Sequence, residues 1–119
     1  MSEWVRVGPI DERFEAVAPA TSFTIGTVNV PEDEVWEIVL VPSIDVTYNR
    51  GSLFLYYYYV GLYGGFMRAW DLTNAQPSPY WVPAYFPGGY EVRVSLTSVV
   101  AEDVIRCVLT GWRWKEKVE

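Results

Sequence analysis

The 119-residue sequence predicts an all-β domain, a sandwich or barrel of antiparallel strands. Three observations lead there. Apolar residues recur at every second position in one segment after another, the period of a half-buried strand. Glycine, proline and asparagine gather between those segments, where the chain must turn. No stretch sustains the longer period of an amphipathic helix.

Met1–Thr21 carries Trp4, Val5, Val7, Ile10 and Phe14 spaced by charges and reads as an extended N-terminal arm, with residues 22–119 forming the one β domain behind it. Within the arm, Asp11 to Ala18 has acids at its start and Pro19 at its end, which also suits a single helical turn. Phe23 and Ile25, then Val28 and Val30, alternate in two phases that slip at Gly26, the mark of a bulge. Trp36, Ile38 and Leu40 alternate in a strand from about Val35 to Val46. Pro42 interrupts it, because proline cannot donate to a ladder.

Asn49-Arg50-Gly51 turns the chain into the run Ser52–Val60, and the glycines from Gly61 to Gly65 reverse it again. Leu72–Pro87 holds four prolines and four aromatics and reads as a long ordered loop or short edge strands. Pro87-Gly88-Gly89 has the composition of a type II turn. It leads into Tyr90–Thr97, where Tyr90, Val92, Val94 and Leu96 share one face and Glu91, Arg93, Ser95 and Thr97 the other. Glu102-Asp103 opens the last strand.

Two strands break the one-face rule. Along Ser52–Val60, Leu53, Leu55, Tyr57 and Tyr59 oppose Phe54, Tyr56, Tyr58 and Val60. Along the last strand, Val104, Val108, Trp112 and Trp114 oppose Ile105, Cys107 and Leu109. A free-standing antiparallel sandwich solvates its outer faces, so such strands need a cover. Three covers are open: the N-terminal arm, a second copy or other protein, and a small ligand. Tyrosine and tryptophan suit an interface because one end is apolar and the other takes a hydrogen bond. Trp4, Phe14, Tyr56, Tyr58, Trp112 and Trp114 are the candidate interface residues. Trp70, Tyr80, Trp81 and Tyr85 are the candidate platform for a glycan.

Composition narrows the chemistry. Histidine is absent and cysteine occurs once, which removes Ser-His and Cys-His nucleophile pairs, common zinc sites and any disulfide within the chain. A net charge of −6 argues against nucleic acid and against an anionic membrane surface. Met1–Pro9 contains Glu3 and Arg6 and no apolar core of a secretory signal, and Gly51–Met67 is too short and too polar to span a bilayer. The reading is a soluble chain made in a reducing cytoplasm, with Cys107 a buried free thiol. Few residues are thermolabile: three Asn, one Gln and two Met, a hint of a hot environment.

Asp45, Asp71, Glu91, Glu102 and Asp103 are the acids from which a glycosidase pair would be drawn, yet none stands in a motif. Glu32-Asp33-Glu34 would be the acidic turn of a calcium site, although such turns are usually empty. No phosphate-cradling glycine motif occurs. The expectation is a protein with no catalytic residues, no metal and no cofactor.

The string as a whole resembles a known group. Val30-Pro31-Glu32-Asp33-Glu34-Val35-Trp36-Glu37-Ile38, Asn49-Arg50, Tyr85-Phe86-Pro87-Gly88-Gly89-Tyr90-Glu91-Val92-Arg93-Val94 and Ala101-Glu102-Asp103-Val104-Ile105 together look like the small jelly-roll-like β-sandwich proteins encoded among the structural genes of tailed bacteriophages. The likeness covers roughly residues 28–112 and rests mainly on turn chemistry. It departs from the pattern at Glu102, where a glycine is common. It implies a jelly-roll-like sandwich and a non-enzymatic virion component made in the host cytoplasm. Within that class it implies a capsid decoration or minor head protein that braces major capsid subunits, often as a trimer. A tail or receptor-binding module that holds host glycans is the alternative.

Overall fold

The computed structural model describes residues 3–41, 43–47, 51–64, 69–71 and 81–117. They form ten strands: β1 (Glu3–Val17), β2 (Phe23–Asn29), β3 (Glu34–Leu40), β4 (Ser43–Asp45), β5 (Ser52–Tyr59), β6 (Leu62–Gly64), β7 (Ala69–Asp71), β8 (Trp81–Pro87), β9 (Glu91–Thr97) and β10 (Val104–Lys117). Two five-stranded antiparallel sheets result. One runs β1-β10-β3-β8 with β4 also on β10, and the other runs β2-β9-β5-β6 with β7 also on β5.

The pairing nests from the ends of the chain to its middle. β1 pairs with β10, β2 with β9, β3 with β8, and β5 with β6 and β7. This is a long hairpin folded over itself into two sheets, the jelly-roll form of the β-sandwich.

The core forms where the alternating apolar positions of the two sheets meet. Ile38, Ile105 and Leu109 come from the first sheet, and Leu53, Leu55, Val92, Val94 and Leu96 from the second; all are fully buried. β9 follows its sequence period, burying Val92, Val94 and Leu96 and leaving the residues between them partly exposed. β3 and β4 lie end to end along the same side of β10, against residues 110–115 and 105–107. The strand expected from Val35 to Val46 is thus one line in two pieces, one ending at Leu40 and the next beginning at Ser43. The phase slip at Gly26 is a register shift between Thr24 and Gly26 against β9.

One reading changes. Asp11 to Ala18 forms no helical turn: residues 11–17 are strand, paired residue by residue with Thr110 to Val104. The segment expected as an arm is, over residues 3–17, an edge strand of the first sheet, and its Ile10 is buried in the core. Trp81–Pro87, the end of the stretch read as a long ordered loop or short edge strands, is the outer strand of the same sheet, as the second of those readings has it.

Among the described residues Ser98 takes φ 58°, and the turns otherwise follow their residue types except at two places. Gly89 takes φ 86° in the expected Pro87–Tyr90 turn, and the Tyr90 N–H donates to the Pro87 carbonyl at 3.2 Å. The β5–β6 hairpin has a two-residue loop, Val60-Gly61, with φ 50° and 76°, the type I′ pattern. At the other exception, Glu102, φ is 76°. Its N–H donates to the Ala18 carbonyl at 2.7 Å, and the Ala18 N–H donates to the Asp103 carbonyl at 2.7 Å. The backbone form usually supplied by glycine is kept at this turn without the glycine.

Candidate functional site

Each sheet carries aromatic side chains on its outer face. On the first sheet, strict alternation along β10 sends Ile105, Cys107 and Leu109 inward and Val108, Trp112 and Trp114 outward. Trp114 stands opposite Val35 on β3 and opposite Arg6 on β1, while Trp112 stands opposite Glu37. β8 places Tyr85 beside Glu37. β1 reaches the same face only near its start. A register shift between Arg6 and Gly8 makes Val7 an extra residue, so Trp4 and Arg6 point outward while Ile10 and Phe14 point inward.

Two charged groups hold this face in shape. The Glu37 carboxylate accepts a hydrogen bond from the Trp114 indole N–H at 3.0 Å and another from the Tyr85 hydroxyl at 3.1 Å. Holding its proton toward that anion raises the Tyr85 phenol above its ordinary range. The Arg6 guanidinium lies 4.0 Å from the ring centroid of Trp112 and 5.0 Å from that of Trp114. An open cleft of about 450 Å³ is lined by Trp4, Val35, Tyr85 and Trp114. Tyr85 is 64% exposed and Trp4 47% exposed, so these rings are presented to solvent.

Beside this cleft lies the acidic turn. Asp33 pairs with Lys115 at 2.8 Å, and Glu34, nearly buried, takes two hydrogen bonds from Arg113 at 2.7 and 2.9 Å and one from the Trp36 indole at 3.1 Å. Two of the three acids of the calcium reading are therefore matched to cations. Among the described residues no cluster of three potential ligands occurs. The Arg113 bonds, before any other cause, hold the Glu34 carboxyl below its usual range, and Lys115 does the same for Asp33.

On the second sheet, β5 resolves its two apolar faces. Leu53 and Leu55 are core, and Tyr57 packs against the core, its ring 5.4 Å from Tyr90 and 6.4 Å from Phe86. Phe54, Tyr56 and Tyr58 form a stripe on the outer face. Phe54 and Tyr56 stack at 6.0 Å, and the Arg93 guanidinium lies 4.5 Å over Tyr58.

The sequence-predicted residues do not make one site. Trp4, Trp112 and Trp114 share the first sheet's outer face, Tyr56 and Tyr58 lie on the second sheet's, and Phe14 belongs to neither. Phe14 packs between the sheets against Gly26, where a Cβ would overlap its ring. The bulge at Val7 separates it from Trp4, and Gly8-Pro9 was the signal for that bulge. Of the glycan candidates, Tyr85 joins the Trp4–Trp114 face. Trp70 and Trp81 are placed by their backbone in β7 and β8, and Tyr80 lies outside the described residues. Glu37, which fixes two of the aromatic rings, was missed; its position on the outer phase of β3 between apolar neighbours was the available clue.

Of the acids weighed as a hydrolytic pair, Asp71 is placed by its backbone in β7. Asp45 and Asp103 are fully buried, Glu91 pairs with Arg93, and Glu102 is exposed in its turn. Cys107 is buried, and burial pushes its thiol up to about 12.

The chain matches no protein-family model and no curated protein. Among solved structures it is similar to a protein of Bacillus endospore appendages, described as a novel family of disulfide-linked pili. The identity is 15%, the match spans 97% of this chain and 90% of that one, and the TM-score is 0.54. That likeness is one of fold. A protein of infectious bursal disease virus, Gt strain, matches at 12% identity over 98% of this chain and 32% of that one, with a TM-score of 0.44.

Proposed function

We propose that this protein is a non-enzymatic structural subunit that assembles with copies of itself or with neighbouring proteins through the outer face of its second sheet. The observation that carries this reading is the stripe of Phe54, Tyr56 and Tyr58. Three large side chains occupy successive outward positions of a central strand, where an isolated sandwich places wetted polar residues. The hydroxyls of Tyr56 and Tyr58 and the flanking Arg93 give the stripe the mixed character of interface cores, which favour Tyr and Arg.

Within that class the motif resemblance supports a capsid decoration or minor head protein of a tailed bacteriophage. Its partners would be major capsid subunits and sister copies, with a trimer the favoured form. The similar fold of an endospore-pilus protein fits an assembling subunit of another kind. That protein's pili are described as disulfide-linked, whereas here the single cysteine is buried, so assembly would rest on non-covalent contact. The glycan-binding alternative keeps Tyr85 as its one described side chain from the expected platform.

Mixing the purified chain with empty phage heads and sedimenting them tests the decoration form. Co-sedimentation that is lost in Tyr58→Asp supports it. A chain that stays in the supernatant, or a variant that binds as well as the parent, counts against it.

A further inference from the structure

We propose that the cleft between Trp4, Val35, Tyr85 and Trp114 is a binding site for a small quaternary ammonium group. The site lies on the other sheet from the Phe54–Tyr58 stripe and does not rest on the assembly reading. Among the described residues that line it three of four are aromatic, and aromatic faces attract cations through the ring quadrupole, tryptophan most strongly. The Glu37 carboxylate stands behind two of those rings, accepting the Tyr85 hydroxyl and the Trp114 indole N–H. That arrangement fixes the rings before any ligand arrives and adds a full negative charge next to the cleft. The neighbouring cleft, which shares Trp4 and Val35, is lined also by Glu32 and Glu116 and by the Asp33–Lys115 pair, so acids outnumber cations there.

The face already holds one cation by these means. Arg6 rests over Trp112 and Trp114, and among the described residues it has no ion-pair partner. The choice of a quaternary ammonium follows from the hydrogen bonding. Glu37 is not among the described lining residues: it stands behind the rings with an oxygen on each ring donor, and the described lining is Trp4, Val35, Tyr85 and Trp114. A primary ammonium or guanidinium would bring N–H donors that need acceptors there. A methylated cation brings none and presents carbon to the rings.

The test is calorimetric titration of the full chain with choline chloride and, in parallel, with 3,3-dimethylbutan-1-ol, a neutral molecule of the same shape, at constant ionic strength. Choline is expected to bind about 5–10-fold more tightly than the alcohol. Trp4→Ala and Glu37→Gln should each weaken choline about fivefold, and Tyr56→Ala, on the other sheet, should leave it unchanged. Circular dichroism establishes that each variant is folded; if Glu37→Gln melts, Trp4→Ala carries the test alone. Equal affinity for choline and the alcohol would show a merely apolar groove and overturn the proposal. So would the absence of saturable choline binding, or a neutral monosaccharide that binds in place of choline.

Discussion

Val60 carries a β-branched side chain at φ 50° in a turn whose two central positions both require positive φ. Its side chain is 75% exposed, so no packing favours valine there. Placing an L-residue in this region costs about 1–2 kcal/mol, less for asparagine. Val60→Asn therefore creates the Asn-Gly hairpin turn and is expected to stabilise the fold by about 1 kcal/mol, raising Tm by roughly 4 °C in a thermal melt. Glu102→Gly acts at φ 76° in the same direction, with a smaller gain because glycine also frees the unfolded chain.

A second prediction at this scale concerns acid. Glu34 is nearly buried, and Arg113 holds its folded carboxyl below the value of the unfolded chain, about 4.3. The stability it contributes is fully present above that unfolded value and is lost as pH falls through the depressed folded one. Urea midpoints should fall below pH 4 in the parent. Arg113→Ala, which leaves the Glu34 carboxylate without its cation, should cost about 1–2 kcal/mol at pH 7, because Arg113 is partly solvated, and flatten part of that fall.

At the scale of the strand, β5 gives the sharpest contrast, since neighbouring tyrosines face opposite media. Tyr57 packs on Phe86 and Tyr90 at the core's edge, while Tyr56 and Tyr58 lie outside. Tyr57→Asp is expected to unfold the domain or cost several kcal/mol. Tyr56→Asp should leave the far-ultraviolet circular dichroism and the melt nearly unchanged.

The sequence could not say which of these faces was inner, because both were apolar. Only pairing with β9, whose own faces are unambiguous, decides it: Leu55 stands opposite Val94, and Tyr56 opposite Arg93. Strands with one wet face, and turns with glycine at the required position, were legible. β1 was not, because its apolar residues change phase at Val7 and no single alternation runs through them. The aromatic cleft was half legible: its tryptophans stood out, but Glu37 and Tyr85 join them only through the β3–β8 register.

For the whole molecule, the nested strand pairing leaves two aromatic outer faces on opposite sides of one core. One carries a stripe suited to a protein surface, the other a cleft suited to a small cation. The long pairing of β1 with β10 fastens the two ends of the chain together, and Ile10 anchors β1 in the core. Phe54, Tyr56 and Tyr58 stand on a strand paired on both sides, so an assembly through them would use a preformed surface, which lowers the entropic cost of binding.

Sedimentation equilibrium of the parent chain and of Tyr58→Asp tests the assembly claim most directly. The parent should behave as a discrete multiple of 13.6 kDa, three copies in the favoured form, and the variant as a folded 13.6-kDa species. A parent that stays at 13.6 kDa at every concentration, or a variant that associates as the parent does, would contradict it.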